Sequence, residues 1–212
     1  MSTALIIGAS RGIGLGLAQH YAADGWTVHA TQRTPSALLK RSGAVIHRLD
    51  VRDRTGGEDL VAEIDSGEVD LLIHNAGVYH GVSRAEMMEV NAVAPIGLVQ
   101  AALDAGIVAS GGRIGIMTSQ TGARRGRTGS LGAYGDSKAA LNDEFRSRAA
   151  DWARHGVVAV VIHPGWVRTD MGGDGAPLSV TESVAGISRV LAELTTADHG
   201  SFLTWDGQTH SW

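Results

Sequence analysis

Thr3-Ala4-Leu5-Ile6-Ile7-Gly8-Ala9-Ser10-Arg11-Gly12-Ile13-Gly14 is the stretch that decides the fold of this chain. Ala4–Ile7 is a short apolar run closed by glycine, the pattern of a strand buried on both faces. Glycines follow at positions 8, 12 and 14, and a helical pattern begins at Leu15. A strand that turns on glycine into a helix brings bare backbone N–H groups and the positive end of a helix dipole to one point. That point suits the pyrophosphate of a dinucleotide. The spacing is Gly-x-x-x-Gly-x-Gly, not the Gly-x-Gly-x-x-Gly of the general fingerprint. Such a turn also occurs without a ligand, but its place at the head of a strand–helix–strand unit favours one.

Outward from this turn the alternation continues. Strands are expected at Ala4–Ile7, Thr27–Thr31, Val45–Leu49, Val69–His74, Arg113–Met117, Val157–His163 and Ser201–Leu203. Helices are expected at Leu15–Ala23, Asp59–Ile64, Glu86–Asp104, Ala133–Arg154 and Thr181–Leu194, with Gly25 and Gly156 as C-caps. This order predicts an α/β fold: a doubly wound, mostly parallel, seven-stranded Rossmann sheet with helices on both faces, in one domain over 1–212. Gly122–Gly132, with Arg124, Arg125 and Arg127, reads as a basic loop: a solvated one, or a gate for acidic substrates.

Composition narrows the function. The 212 residues carry a net charge of −4, so no broad basic surface points to nucleic acid. With no cysteine there is no disulfide or thiolate chemistry, and a cytoplasmic setting is expected. No apolar run approaches the ~20 residues of a membrane span, and the start lacks the shape of a signal peptide. The nine histidines show no metal-ligand spacing, so no metal is expected.

The chemistry gathers around Tyr134-Gly-Asp-Ser-Lys138. On a helix, positions i and i+4 share a face, so phenol and ammonium point into one site. At ~4 Å and an effective dielectric of ~20 the attraction reaches ~4 kcal/mol, enough to lower a phenol pKa of ~10 by roughly three units. Tyr134 is therefore expected to act as general acid and base. Ser119 closes the fifth strand, where a hydroxyl can polarise a substrate oxygen; Thr118 is its chemical rival. The second strand ends in Ala30-Thr31-Gln32-Arg33, with no acid to bind both ribose hydroxyls. Arg33, joined by Arg11 from the glycine turn, suits a 2′-phosphate. The cofactor expected is NADP(H), with NAD(H) disfavoured.

With these motifs the chain resembles the short-chain dehydrogenase/reductase family, over Gly8 to Thr169. The resemblance implies that Gly8, Ser10, Arg11, Gly12, Ile13 and Gly14 hold the pyrophosphate region. Asp50 and Val51 would meet the adenine, although Asp50 serves equally well as a turn or cap residue. Asn75-Ala76-Gly77 matches the family's Asn-Ala-Gly motif lining the adenosine side. Ser119, Tyr134 and Lys138 match its catalytic set, with Tyr134 and Lys138 also touching the cofactor. Asn91 matches the asparagine that holds a water linked to the lysine. Pro164, Gly165, Val167 and Thr169, after the sixth strand, would lie beside the nicotinamide. The ending Phe202-Leu203-Thr204-Trp205-Asp206-Gly207…Trp212 looks like the C-factor/sniffer-like branch. Three departures bear on the substrate pocket: a longer Ser119–Tyr134 interval, a short stretch from Gly77 to Asn91, and a short segment after Thr169.

The implied activity is hydride transfer between NADP(H) and a small carbonyl or alcohol. A dinucleotide-binding sensor with little turnover is the alternative, disfavoured by the intact Ser119, Tyr134 and Lys138. A cofactor-free lyase on this fold is disfavoured by the glycines and by Lys138. Related enzymes pair through helices, and Ala139, Ala140, Ala149, Ala150 and Ala153 suit close packing, so a homodimer or homotetramer is expected.

Overall fold

A computed structural model describes residues 1–53, 55–64, 68–125 and 129–212. Arg127 of the basic loop lies outside them. The strands are β1 (Thr3–Ile7), β2 (Thr27–Gln32), β3 (Val45–Arg48), β4 (Val69–His74), β5 (Val108–Met117), β6 (Val158–His163) and β7 (Phe202–Thr204). They form one sheet in the order β3-β2-β1-β4-β5-β6-β7, and every pairing between them is parallel. The order reverses between β1 and β4, so a crevice opens at the C-terminal ends of those two strands.

The helices are α1 (Gly12–Ala23), α2 (Ala37–Lys40), α3 (Gly56–Glu63), α4 (Arg84–Met88), α5 (Ala94–Asp104), α6 (Gly132–Ala153) and α7 (Val180–Glu193). Alternate strand residues feed two cores. Leu5 and Ile7 pack with Leu60 of α3, Leu98 of α5 and Phe145 of α6. Ala4 and Ile6 pack with Leu17 of α1, Leu39 of α2 and Ile187 of α7. Both faces of the sheet are thus covered, which is why most of its strands are rich in apolar residues. Gly25 closes α1 at φ +80°, where Trp26 N–H reaches Tyr21 O at 3.0 Å.

Three expectations need correction. The helix over Glu86–Asp104 is instead α4, a π-helical turn at Glu89–Val93, and α5. Pro95 has no N–H to give the carbonyl four residues back, that of Asn91, and the helix is re-registered there. β5 starts five residues before Arg113, because Gly111 and Gly112 masked its first half and its register with β4 shifts between Val69 and Leu71. The four-residue α2, capped by Ser36, was too short to show a period. Among the described residues no helix is long and apolar enough to cross a membrane.

Candidate active site

The glycine turn and the Asn75 turn lock into each other. Ile7 O accepts from both Asn75 N and Ala76 N at 2.9 Å, and Asn75 Nδ2 donates to Gly8 O at 2.8 Å. Gly8 sits at φ +86°, and a Cβ there would come within 2.6 Å of Ala76 Cα. A Cβ on Gly14 would lie 2.2 Å from Gly8 O. Thr31 Oγ1 accepts from Gly8 N at 2.9 Å and fixes the turn to the end of β2. α1 begins with no side-chain cap on Arg11 and no acid in its first turn. Its first N–H groups and positive dipole end are left to whatever occupies the crevice.

An open cleft of about 480 Å³ runs from this turn to Tyr134 and Lys138. Ser10, Gly12, Ile13, Val51, Gly77, Pro164 and Thr169 line it, as expected. Gly14, Asn91, Ser119, Gly165 and Val167 do not. Gly14 is buried behind the turn, where its missing side chain admits Gly8 O and Asn75 Nδ2. Gly165, at φ +86°, makes room for Leu178 and Trp205, and buried Val167 bridges to Leu178. Both shape the loop after β6 and do not face the cleft.

At the β2 end, Arg33 lines the cleft, is exposed, and makes no ion pair with any described residue. Arg11 reaches Asp170 at 2.6 Å, and both side chains are about three-quarters exposed. Arg11, Asp170 and Arg33 all line the same cleft. An exposed pair such as Arg11 and Asp170 contributes little and is readily exchanged for a stronger anion. Asp50 is gripped by Arg52, Nε to Oδ1 at 2.9 Å and Nη2 to Oδ2 at 2.5 Å, which pulls its carboxyl down to about 2. Its oxygens hold Arg52 and the turn, and Asp50 also lines the cleft beside Val51.

At the other end, α6 carries Tyr134 and Lys138 on one face. The Ser119 hydroxyl lies beside that of Tyr134 and accepts from Thr121 Oγ1 at 2.8 Å. Thr118 lines the cleft, but its Oγ1 is committed to Asn142 Oδ1 at 2.6 Å. Lys138 is buried, and its Nζ donates to Met117 O at 2.9 Å. Burial pushes the Lys138 ammonium down to about 8. Burial pushes the Tyr134 phenol up to about 12, against the effect of the Ser119 hydroxyl and with the nearby Tyr79 adding to the rise. This reverses the direction expected from the i, i+4 spacing. Desolvation outweighs the lysine, whose ammonium is anchored on the strand end.

Asn91 lies in the π-helical turn, fully buried. Its Oδ1 accepts from Val78 N at 2.8 Å, and its Nδ2 donates to Val78 O at 2.8 Å and to Ser137 Oγ at 3.0 Å. The side chain thus staples the loop after β4 to α6 and makes no hydrogen bond to Lys138. Sequence reasoning missed Thr31, Met117 O and Tyr79. The first two act through bonds that only the fold creates. Tyr79 had a signal, an aromatic two residues beyond Asn-Ala-Gly. In the basic loop, Arg124 pairs with Asp143 on the outer side of α6 at 3.1 Å. Among the described residues no three His, Asp or Glu side chains cluster as metal ligands.

A sequence profile described as short chain dehydrogenase matches residues 2–176. The chain belongs to the short-chain dehydrogenase family. Among curated relatives of this short-chain dehydrogenase, C-signal of Myxococcus xanthus is 38% identical over 157 residues, 69% of this chain and 95% of that one. A carbonyl reductase from Pseudomonas aeruginosa PAO1, solved in complex with NADP, is 34% identical with a TM-score of 0.87 and both chains fully covered. The carbonyl reductase Sniffer of D. melanogaster is 28% identical with the same TM-score of 0.87, again over the whole of both chains.

Proposed function

We propose that this chain is an NADP(H)-dependent oxidoreductase acting on a carbonyl/alcohol pair, with Tyr134 as its proton donor and acceptor. The observation that carries it is Tyr134, with the Ser119 hydroxyl beside it and Lys138 on the same helix face, at one end of a cleft whose other end is a glycine cradle at an uncapped helix. The cofactor fits these residues: a side chain at Gly8 or Gly14 would collide with the turn, and Arg33, with no ion pair among the described residues, stands where an acid on β2 would repel a 2′-phosphate. The NADP complex of the similar Pseudomonas carbonyl reductase supports the same cofactor.

Ser10, Gly12 and the N-terminus of α1 would hold the pyrophosphate, Arg33 the 2′-phosphate, and Val51 and Ala76 the adenosine side. Bound there, the nicotinamide supplies the hydride for reduction of a carbonyl carbon. Ser119 donates a hydrogen bond to the carbonyl oxygen and polarises it. Tyr134 gives its proton to that oxygen as negative charge develops on it. A phenol held near 12 stays protonated at neutral pH, which suits a donor. Lys138 stabilises the phenolate left behind and would hold the nicotinamide ribose. Oxidation of an alcohol runs these steps in reverse.

Tyr134→Phe tests the function. Turnover of a reactive aldehyde with NADPH should fall at least ~100-fold, while NADPH binding followed by fluorescence stays within a few-fold. Turnover close to that of the unmodified protein would remove Tyr134 from the mechanism. We also propose that a second copy of the chain is its partner, through the groove between α5 and α6.

A further inference from the structure

Resting on the oxidoreductase function proposed above, we infer that the substrate is a neutral, planar aromatic aldehyde or ketone, and that Tyr79 is the side chain that selects it. β4, β5 and β6 are neighbours in the sheet, so the loops at their C-terminal ends stand side by side. The first carries Tyr79, the second Ser119, and the third Trp166 and Met171. These three large apolar side chains are 41%, 56% and 41% exposed, against a chain whose other large side chains are mostly buried. Exposed apolar surface gathered at the rim of a polar site marks what a ligand covers.

The geometry is specific to flat rings. Tyr79 meets the Tyr134 ring edge to face, with centroids 4.8 Å apart and planes at 83°. On its other side His80 adds a second edge contact at 4.0 Å. A ring standing perpendicular to the proton donor offers a wall on which an aromatic substrate can lie with its carbonyl toward Tyr134 and Ser119. On the loop after β6, Trp166 is exposed but not loose. Its Nε1 donates to Gly172 O at 2.8 Å, which fixes the ring on the loop that also places Met171 in the cleft lining.

Charge disfavours the acidic alternative. Arg84 is held by Asp136 at 2.6 Å, and Arg11 by Asp170 at 2.6 Å. Arg168 Nη1 donates to Ala176 O at 2.8 Å and Pro177 O at 2.7 Å. Arg124 points to Asp143 along α6. A carboxylated or phosphorylated substrate would meet no unengaged cation among these residues. A neutral ring needs none.

The test is a specificity ratio. kcat/KM is measured with NADPH for benzaldehyde, butanal and 4-carboxybenzaldehyde, in the unmodified protein, Tyr79→Ala and Tyr79→Phe. The benzaldehyde-to-butanal ratio should fall about 10-fold in Tyr79→Ala and be retained in Tyr79→Phe. A general disturbance of Tyr134 would lower both substrates together and leave the ratio fixed. An unchanged ratio in Tyr79→Ala overturns the inference, as does 4-carboxybenzaldehyde outperforming benzaldehyde. Benzamide, planar but not reducible, gives an arm independent of turnover. Its affinity by calorimetry, in the presence of NADPH, should drop about 10-fold in Tyr79→Ala. Benzamide binding that depends on Tyr79, with no aldehyde reduced, would keep the aromatic site and reject the oxidoreductase function. Reduction of butanal with no benzamide binding would do the opposite.

Discussion

Arg33 shows how a single residue sets the choice of cofactor. It lines the cleft at the end of β2, with no acidic neighbour on that strand end and no ion pair among the described residues. A charge-assisted contact to phosphate contributes ~1.5–3 kcal/mol, so NADPH should exceed NADH in kcat/KM by roughly 10- to 100-fold. Arg33→Asp should abolish or invert that preference, and a ratio unmoved by the substitution would place the 2′-phosphate elsewhere. Arg11, already paired with Asp170, should matter less. This much was legible in the sequence, because the absence of an acid at a strand end is a one-dimensional fact. The pKa of Tyr134 was not, because the spacing to Lys138 says nothing of burial or of Met117 O, and these decide the sign. Burial has a second consequence at His74, beneath the site, whose Nε2 finds no hydrogen-bond partner and whose pKa burial and Lys138 push down to about 3. In the unfolded chain the same histidine takes a proton near 6.5. Between about 6.5 and 3 the unfolded state binds more protons, so stability is full above that window and falls as pH drops through it. At pH 5 the loss from this group is about 2 kcal/mol. Thermal melts should therefore show a lower Tm at pH 5 than at 7.5, and His74→Leu should shrink the difference. An equal difference in both proteins would mean other groups control the acid response.

Whole elements were legible where one physical signal governed them. β1, β4 and β6 were found within a residue or two because a strand covered on both faces is mostly apolar, and β2 by its β-branched run between Gly25 and Arg33. The stretch from α4 to α5 was not, because its hydrophobic period runs on while its hydrogen bonds change register. The clue was Pro95 inside a helical pattern. The π-helical turn there points Asn91 into the fold, where one amide satisfies both backbone groups of Val78 and the Ser137 hydroxyl. The loop that presents Gly77 and Tyr79 therefore hangs on this side chain. Asn91→Ala leaves Val78 N and Val78 O without this partner, at ~1–3 kcal/mol for each that water cannot reach, while the Ser137 hydroxyl keeps its bond to Tyr134 O. Denaturant titration should show a loss of about 2–4 kcal/mol, and kcat should fall with it because α6 and the loop after β4 lose their staple. Undiminished stability with reduced kcat would show that Asn91 acts on the reaction directly and does not act as a staple.

For the whole molecule, the sheet and its two cores leave one large apolar groove to be explained. It measures about 1150 Å³ and is flanked by α3, the π-helical turn with α5, and α6. The sequence pointed to five alanines of α6 as a packing surface, but only Ala140 lines the groove; Ala139 is buried in the core, and Ala149 carries the carbonyl that accepts from His199. The missing half of that surface belongs to α5. Val93, Gly97, Ala101 and Ala105 recur at intervals of four and all line the groove, so they form one stripe of small and apolar residues along the helix. Ala140, Glu144 and Arg148 run along α6 at the same interval. A second copy of the chain related by a twofold axis would lay these two helices against their own counterparts, small residues letting the backbones approach. Gly97 gives a clean test. It is exposed, and a Cβ built on it meets nothing within 4 Å, so the single chain has room for any side chain there. Replacing a helical glycine also favours the folded helix by up to ~1 kcal/mol. Gly97→Arg should therefore leave the folded monomer at least as stable while placing a bulky cation across the stripe. Light scattering coupled to size exclusion should show a dimer or tetramer of the unmodified protein at micromolar concentration. In Gly97→Arg the dissociation constant should rise at least ~100-fold, equal to ~3 kcal/mol of lost association. A monomeric unmodified protein, or an oligomer indifferent to Gly97→Arg, would mean that this groove faces solvent.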